Sequence, residues 1–306
     1  MTLSRSNPRA KGRWLVLGAF VATLMLTVVA ITLAVHGEAF QLDGDVDDST
    51  TTNIGGTTQT VDWETLIDSS GIPKTSLPDG FQDVGFEKDF RNTGNTFVTR
   101  DDSTFATGSK DTLPISGWQC NRDNNVNSKI DVMNAYAATY IDPATDDEII
   151  YFALERNTNT GDANVGFWFL QDAVSCESAG GAVDFTGAHT DGDLLIVSAF
   201  SNGGTVSSVD VYRWNGNDAT GSLGTTPVFS GGVDCRTTTL SSEDHACGAA
   251  NRTDITTPWL TSNFKDKVGL KLRTAEFFEG GVNLTQRAWA GDASIRSSVT
   301  LVRRHP

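Results

Sequence analysis

Asp and Glu are the residues of this 306-residue chain whose type and spacing best suit ligand binding or catalysis. Asp and Glu number 38 against 23 Lys and Arg, and the formal net charge is −15. A calcium ion takes about 6 to 8 oxygen ligands, which clustered Asp side chains and Gly-rich backbone supply without His or Cys. We therefore expect calcium to bind among closely spaced acids; the alternative is that these carboxylates are simply solvated in turns. The candidate ligands are Asp101, Asp102, Asp111, Asp191 and Asp193.

Residues 43–48, DGDVDD, begin like the calcium loop of an EF-hand. Such a loop has Gly at its sixth position and a bidentate Glu at its twelfth. Asp48 and Ile54 stand at those positions here, so the match fails. Residues 40–60 are rich in Asp, Ser, Thr and Gly, which predicts a flexible linker.

Aromatic residues suggest a binding surface. Phe167, Trp168 and Phe169 are consecutive, so in a strand Trp168 faces the side opposite to its two neighbours. If Phe167 and Phe169 pack in the core, Trp168 and Trp214 would stand on the outer face as a platform for a sugar ring or a protein partner. In the alternative interpretation both faces are covered and every Trp belongs to the core.

The sequence lacks the motifs of the common catalytic classes. It has no G-x-S-x-G, H-E-x-x-H, P-loop or G-x-G-x-x-G. A Ser-His-Asp triad could be composed of His189, Asp191 and Ser198, but an isolated His beside a turn is more often structural. A glycosidase needs two carboxylates about 5 to 10 Å apart, and Glu155 and Asp162 are candidates without special weight. These observations favour a non-catalytic protein and leave an extracellular polysaccharide hydrolase as the alternative.

The four cysteines, an even number, predict two disulfides in an oxidising compartment. Three pairings are open. Proximity favours Cys235 with Cys247, which would close a short polar loop and leave Cys120 with Cys176. A metal site built from these residues is disfavoured because the chain has no C-x-x-C.

The N-terminus predicts export. Basic residues within 1–13 precede an uncharged stretch at 14–35. A helix of that length would reach about 33 Å, enough to cross a hydrocarbon core of about 30 Å. The positive-inside rule keeps 1–13 in the cytoplasm and places the rest of the chain outside. Gly37 and Ala39 also suit a signal peptidase, so residues 14–35 form either a transmembrane anchor or a cleaved signal helix.

Short β-type runs separated by Gly, Asn and Asp clusters fill the exported body, and no helical period competes with them. Such runs lie at 95–99, 129–141, 148–156 and 163–171. Two further runs, 193–201 and 205–214, flank the Asn-Gly-Gly sequence at 202–204. This arrangement predicts an antiparallel hairpin.

Residues 61–286 are therefore expected to form one all-β domain, an antiparallel β-sandwich of jelly-roll type, behind the N-terminal helix. A short helix is predicted at 62–68. Residues 287–306 are basic where the body is acidic, which predicts an atypical, disordered tail; a shifted reading frame or a truncation is the alternative.

Five segments of the body carry a family resemblance. They are GSKD at 108–111, NAYAATY at 134–140, GDANVGFWFLQ at 161–171, HTDGDLLIVSAFSNGG at 189–204 and FFEGGVNLT at 277–285. They resemble uncharacterised secreted or cell-surface β-sandwich proteins of Gram-positive bacteria, over about residues 40–286. The resemblance implies an exported β-sandwich and names no catalytic residue.

These observations predict an exported cell-envelope protein with a non-catalytic role in surface display, adhesion or ligand binding. Its partners would be the membrane, through residues 14–35 if that helix is retained, and a glycan or a surface protein. The excess of acidic residues argues against general binding to nucleic acid, whose phosphates are met by Lys and Arg.

Overall fold

The computed structural model describes thirteen parts of the chain, separated by gaps. They are residues 35, 40–54, 57–93, 96–101, 104–105, 112–122, 127–161, 163–178, 180–201, 205–231, 234–236, 245–285 and 302–304. The predicted helix at 14–35 lies outside them except for Val35. Asp102, Asp111, Asp162 and most of the predicted tail at 287–306 also lie outside the described residues.

The described residues are almost entirely in strands and turns. The strands are β1 (Thr52–Ile54), β2 (Thr57–Gln59), β3 (Phe81–Lys88), β4 (Phe90–Thr93), β5 (Thr96–Asp101), β6 (Thr104–Phe105), β7 (Gln119–Arg122), β8 (Val132–Ile141), β9 (Glu148–Arg156), β10 (Ala163–Phe169), β11 (Gly181–Asp184), β12 (Leu194–Ser201), β13 (Thr205–Asn215), β14 (Ser222–Leu223), β15 (Phe229–Gly231), β16 (Ala246–Ala250), β17 (Ile255–Asn263), β18 (Lys267–Leu272), β19 (Phe277–Asn283) and β20 (Val302–Arg304). One α-helix, α1 (Trp63–Leu66), and one 3₁₀ turn, Ile115–Gly117, complete them. The all-β prediction is confirmed, with every strand pair antiparallel.

The central element is a five-stranded sheet with strand order β16-β19-β9-β8-β3. Strand β9 has the predicted limits of 148 and 156. Its successive side chains point to opposite faces, as the pleat requires. Tyr151 and Ala153 therefore enter one hydrophobic cluster, and Phe152 and Leu154 enter another. Both faces of this sheet are covered, which explains the continuous apolar character of β8 and β9.

A second sheet has the order β14-β13-β12-β10-β20, with β15 also paired to β13. The predicted hairpin is confirmed, because β12 and β13 pair from Leu194 with Arg213 to Ser201 with Thr205. Its turn, 202–204, lies outside the described residues. Within the predicted tail, β20 pairs with β10.

Four smaller pairings complete the strand arrangement. They are a three-stranded sheet, β11-β7-β6, and the two-stranded pairs β1-β2, β4-β5 and β17-β18. Among the described residues no helix is long and apolar enough to cross a membrane.

The N-terminal segment, which we define as residues 40–67, differs from the predicted flexible linker. Phe40, Leu42 and Val46 are fully buried in the cluster that also contains Tyr151. The Phe40 and Tyr151 rings stack with centroids 4.3 Å apart. The linker prediction is therefore wrong for this part of the chain. It rests on average composition, in which these few apolar residues are outnumbered by polar ones. The short helix predicted at 62–68 is confirmed as α1.

Both predicted disulfides are present. Cys120 joins Cys176 with Cα atoms 6.2 Å apart, and Cys235 joins Cys247 with Cα atoms 5.1 Å apart. All four cysteines are thereby used. Intramolecular disulfides of this kind indicate an oxidising environment.

Candidate functional site

Four carboxylates from three parts of the chain meet where the N-terminal segment packs against β19. Asp43 and Asp45 lie in a bend, Asp62 is the N-cap of α1, and Glu279 is in β19. One oxygen from each of Asp43, Asp45 and Asp62 lies within 4.8 Å of the others. Asp62 and Glu279 are fully buried, while Asp43 and Asp45 are partly exposed. We call these four residues the carboxylate cluster.

Alternating aspartates curl the backbone of the bend. The Asp45 amide donates to Asp43 Oδ1 at 3.3 Å, and the Asp47 amide donates to Asp45 Oδ1 at 2.9 Å. Asp side chains favour such turns because they bond the backbone two residues later. The sequence spacing of Asp residues therefore produces the local shape directly.

Gly44 is required between the first two aspartates. Its φ is +97°, and a Cβ there would lie 3.0 Å from the carbonyl oxygen of Ala250 and 3.1 Å from Nη1 of Arg236. Its amide donates to Glu279 Oε1 at 2.7 Å. Only glycine combines this left-handed conformation with so close an approach.

Asp62 has one satisfied oxygen and one without a partner. Its Oδ1 accepts from the Trp63 amide at 2.6 Å, and its own amide donates to Thr65 Oγ1 at 3.1 Å, which completes a capping box at α1. Its Oδ2 is buried and has no hydrogen-bond partner. Such a buried carboxylate oxygen is costly unless a cation or a proton compensates it.

The electrostatics of the cluster reflect burial and mutual repulsion. Burial, together with the charge of Asp45, raises the pKa of Asp43 to about 6. Burial and the neighbouring acids also raise the pKa values of Asp62 and Glu279 well above their ordinary range. Without a compensating charge, these groups would retain protons at higher pH than ordinary carboxyls do.

Arg236 is a cation beside the cluster, but its guanidinium is already paired. Its Nε and Nη2 donate to the two oxygens of Asp234, each at 2.8 Å. Arg252 donates to the same Asp234 carboxylate at 2.8 Å. The cluster therefore has a local excess of negative oxygen donors, an arrangement that suits a hard cation.

The calcium ligands predicted from sequence lie elsewhere. Asp191 accepts from Arg213 Nη2 at 2.6 Å and from the Gly216 amide at 2.7 Å. Asp193 accepts from the Thr190 amide and contacts His189 Nδ1, both at 3.0 Å. Protein donors thus engage both carboxylates.

The other three predicted ligands give no site geometry. Asp101 ends β5, and Asp102 and Asp111 lie outside the described residues. Calcium binding at these three positions stays a prediction.

The predicted aromatic platform is wrong. Trp168 and Trp214 are completely buried. Phe167 and Phe169 pack in the buried cluster that also contains Phe152, as expected, but the opposite face of β10 is covered by a further cluster that includes Trp118. His189 stacks on Trp214 with centroids 4.0 Å apart.

The Ser-His-Asp triad considered from the sequence is not assembled, because His189, Asp191 and Ser198 each contact a different partner. His189 contacts Asp193 rather than Asp191, and Ser198 Oγ donates to the Ser208 carbonyl at 3.1 Å. Asp191 is held by Arg213. These contacts hold the hairpin and its flanking turn.

Glu155, one of the two glycosidase candidates, is fully buried, and the other, Asp162, lies outside the described residues. It accepts hydrogen bonds from Asn134 Nδ2 at 2.6 Å and from Trp259 Nε1 at 2.8 Å, and from the Tyr136 hydroxyl at 3.3 Å. Burial raises the pKa of Glu155 even though these donors favour its charged form. The residue links three elements of the core.

Sequence reasoning missed the carboxylate cluster. The alternating aspartates of 43–48 were the available signal, but Asp62 and Glu279 lie too far along the chain for a linear motif to include them. No protein-family model, curated protein or solved structure matched this chain, so the site is interpreted from its own geometry.

Proposed function

We propose that this protein is an exported, non-catalytic component of a cell envelope, secreted or held on the outer side of the membrane, where it serves in adhesion or ligand binding. The observation that carries the proposal is the pair of disulfides, which together use every cysteine. Disulfides persist in oxidising compartments. The basic residues of 1–13 and the uncharged stretch 14–35 are the matching export signal, and retention of that stretch would make the membrane one partner.

The fold we propose is a β-sandwich, like that of the secreted Gram-positive proteins that the sequence resembles. Its support is the core shared by the two large sheets. Phe152 of β9 and Phe167 of β10 have ring centroids 4.8 Å apart, and their cluster contains side chains from both sheets. Two antiparallel sheets that bury one face against each other make such a sandwich.

A polysaccharide hydrolase is the less favoured alternative. Such an enzyme needs two carboxylates at an accessible cleft. Glu155, one of the two candidate carboxylates, is enclosed in the core rather than at a surface cleft. The ligand we expect is a glycan or a surface protein rather than nucleic acid, given the net charge of −15.

Protease accessibility combined with thiol labelling tests the export proposal. Full-length protein with a C-terminal epitope would be expressed in a Gram-positive host, and protease would be added to intact cells. We expect the epitope to be lost and the four cysteines to react with a maleimide only after reduction. Leu24→Arg, which puts a charge in the uncharged stretch, should lower the exported fraction. A full-length chain protected in the cytosol, with four reactive thiols, would overturn the proposal.

A glycan array and a reducing-sugar assay on the same purified protein separate the two functional classes. Binding without release of reducing ends supports the non-catalytic role. Release of reducing ends that increases with protein concentration and time would instead establish the hydrolase.

A further inference from the structure

The carboxylate cluster points to a metal site. We propose that Asp43, Asp45 and Asp62 bind one calcium ion, which joins the bend at Asp43 and Asp45 to the start of α1 within the N-terminal segment. This site is distinct from the ligands predicted from sequence. It does not depend on the proposed adhesive function, because the purified protein would bind calcium whatever its ligand.

The spacing of the three oxygens fits one ion. Calcium binds oxygen at about 2.3 to 2.6 Å, so two ligands of the same ion lie at most about 5 Å apart. One oxygen from each of the three aspartates lies within 4.8 Å of the others. The partial exposure of Asp43 and Asp45 leaves room for water to complete the coordination shell.

Asp62 supplies an independent indication of a ligand. The residue is fully buried, and its Oδ2 has no hydrogen-bond partner although Oδ1 is satisfied by the Trp63 amide. Burying an ionised oxygen without a partner is unfavourable, and coordination of a cation removes that cost. The N-cap bond fixes the carboxylate so that Oδ2 remains available.

The donor set favours calcium among the common cations. The cluster offers carboxylate oxygens and no His or Cys, which disfavours zinc and other softer metals. Magnesium demands near-ideal octahedral geometry, whereas calcium accepts irregular sets of carboxylates, carbonyls and waters. The nearby Arg236 is paired with Asp234 and leaves the excess of negative charge in place.

The proposed site differs from an EF-hand loop in where its last acid comes from. Residues 43–47 supply aspartates at alternate positions, but the twelfth position, Ile54, has no carboxylate. The chain returns at Asp62, where α1 begins, and this residue takes the place of the missing acid. Glu279 acts as a positioning residue because it accepts from the Gly44 amide and from the Trp63 indole.

Calcium titration of the full-length protein tests the site. The protein would be purified in mild detergent, freed of metal with EGTA and dialysed, then titrated with CaCl₂ in a calorimeter and melted with and without the ion. We expect one site with a Kd of about 10⁻⁴ to 10⁻³ M, as in extracellular modules. A concentration of 10 mM CaCl₂ should raise Tm by about 5 °C, and MgCl₂ at the same concentration should raise it much less.

Asp62→Asn is the decisive variant. Asn keeps the N-cap acceptor and removes the buried charge, so the metal-free variant should melt at or above the wild-type temperature. Its calcium affinity should fall at least tenfold. Asp68→Asn is the matched control, since Asp68 also caps a turn, through bonds to Ser70 and Ile72, but lies outside the cluster.

Two results would overturn the assignment. The first is a wild-type protein whose Tm and calorimetric heats are unchanged by calcium, which would mean that protons alone neutralise the cluster. The second is full calcium binding by Asp62→Asn together with its loss in Asp48→Asn. That outcome would place the ion at the neighbouring group of Asp47, Asp48 and Glu64, whose oxygens also lie within 4.8 Å of one another.

Discussion

The indole Nε1 of Trp63 donates a 2.9 Å hydrogen bond to Oε2 of Glu279, and 216 positions of sequence separate the two residues. Both side chains are fully buried. The bond joins the start of α1 to the middle of β19 and so connects the N-terminal segment to the sheet near the end of the described body. Because Oε2 is buried, losing this donor would leave an unsatisfied polar atom in the core, which costs more than the net contribution of an average hydrogen bond.

Trp63→Phe tests that connection. The variant keeps an aromatic ring but leaves Glu279 Oε2 without the indole donor, so the free energy of unfolding should fall by about 1 to 3 kcal/mol in addition to any packing loss. Trp214→Phe is the control, because its indole makes only a 3.4 Å bond to the Asn217 carbonyl. Urea unfolding of both variants gives the comparison, and equal losses would contradict the role of the buried bond.

The two disulfides should stabilise the fold to different extents. Cys120 and Cys176 are 56 positions apart, whereas Cys235 and Cys247 are 12 apart. By the chain-entropy relation, removal should cost about 4 kcal/mol for the longer loop and about 3 kcal/mol for the shorter one. Each pair would be changed to Ala and unfolded in urea. The reverse order would mean that native packing, rather than the entropy of the unfolded chain, dominates.

Features set by local pattern could be predicted from the sequence. The limits of β9 follow from an uninterrupted β-type run between polar turns, and the β12–β13 hairpin follows from an Asn-Gly-Gly turn between two such runs. The short disulfide was also accessible, because Cys235 and Cys247 lie close together along the chain. Each of these inferences needs only neighbouring residues.

Features set by distant parts of the chain could not be predicted. The alternation around Trp168 correctly separated its side from that of Phe167, but whether that side faces water depends on Trp118 and the turn at His189. The burial of Phe40 likewise depends on Tyr151, more than a hundred positions away. The carboxylate cluster likewise combines distant residues, so the sequence could name acidic residues as candidate ligands but could not bring Asp43, Asp45, Asp62 and Glu279 together.

Asp218 should make the free energy of unfolding depend on pH in the acidic range. Partial burial raises its pKa, but hydrogen bonds from the backbone amides of His189, Ile115 and Ser116 outweigh that effect and hold it below the ordinary value. The native state therefore binds fewer protons than the unfolded chain near pH 4, so this contribution is present above that pH and is lost as the pH falls through the folded pKa.

Asp218→Asn should accordingly lower the free energy of unfolding at pH 7 by roughly 1 kcal/mol, a value reduced for solvent screening, and by much less at pH 2. Urea unfolding at both pH values measures the difference. Asp254→Asn, which breaks the exposed ion pair with Lys271, controls for a general change of charge. A loss for Asp218→Asn that is the same at pH 2 and pH 7 would exclude a contribution from its ionised form.

Gly44→Ala should destabilise the bend that holds Asp43 and Asp45. At φ +97° an L-residue is strained, and the new methyl group would lie 3.0 Å from the Ala250 carbonyl oxygen, where backbone rather than a flexible side chain must yield. We expect a loss of about 1 to 2 kcal/mol or more in the free energy of unfolding.

Gly85→Ala is the matched control, because a Cβ at Gly85 meets nothing within 4 Å and its φ is ordinary for a strand. That variant should be neutral or slightly stabilising, since alanine restricts the unfolded chain more than glycine does. Equal effects of the two substitutions in urea unfolding would show that Gly44 holds no special conformation.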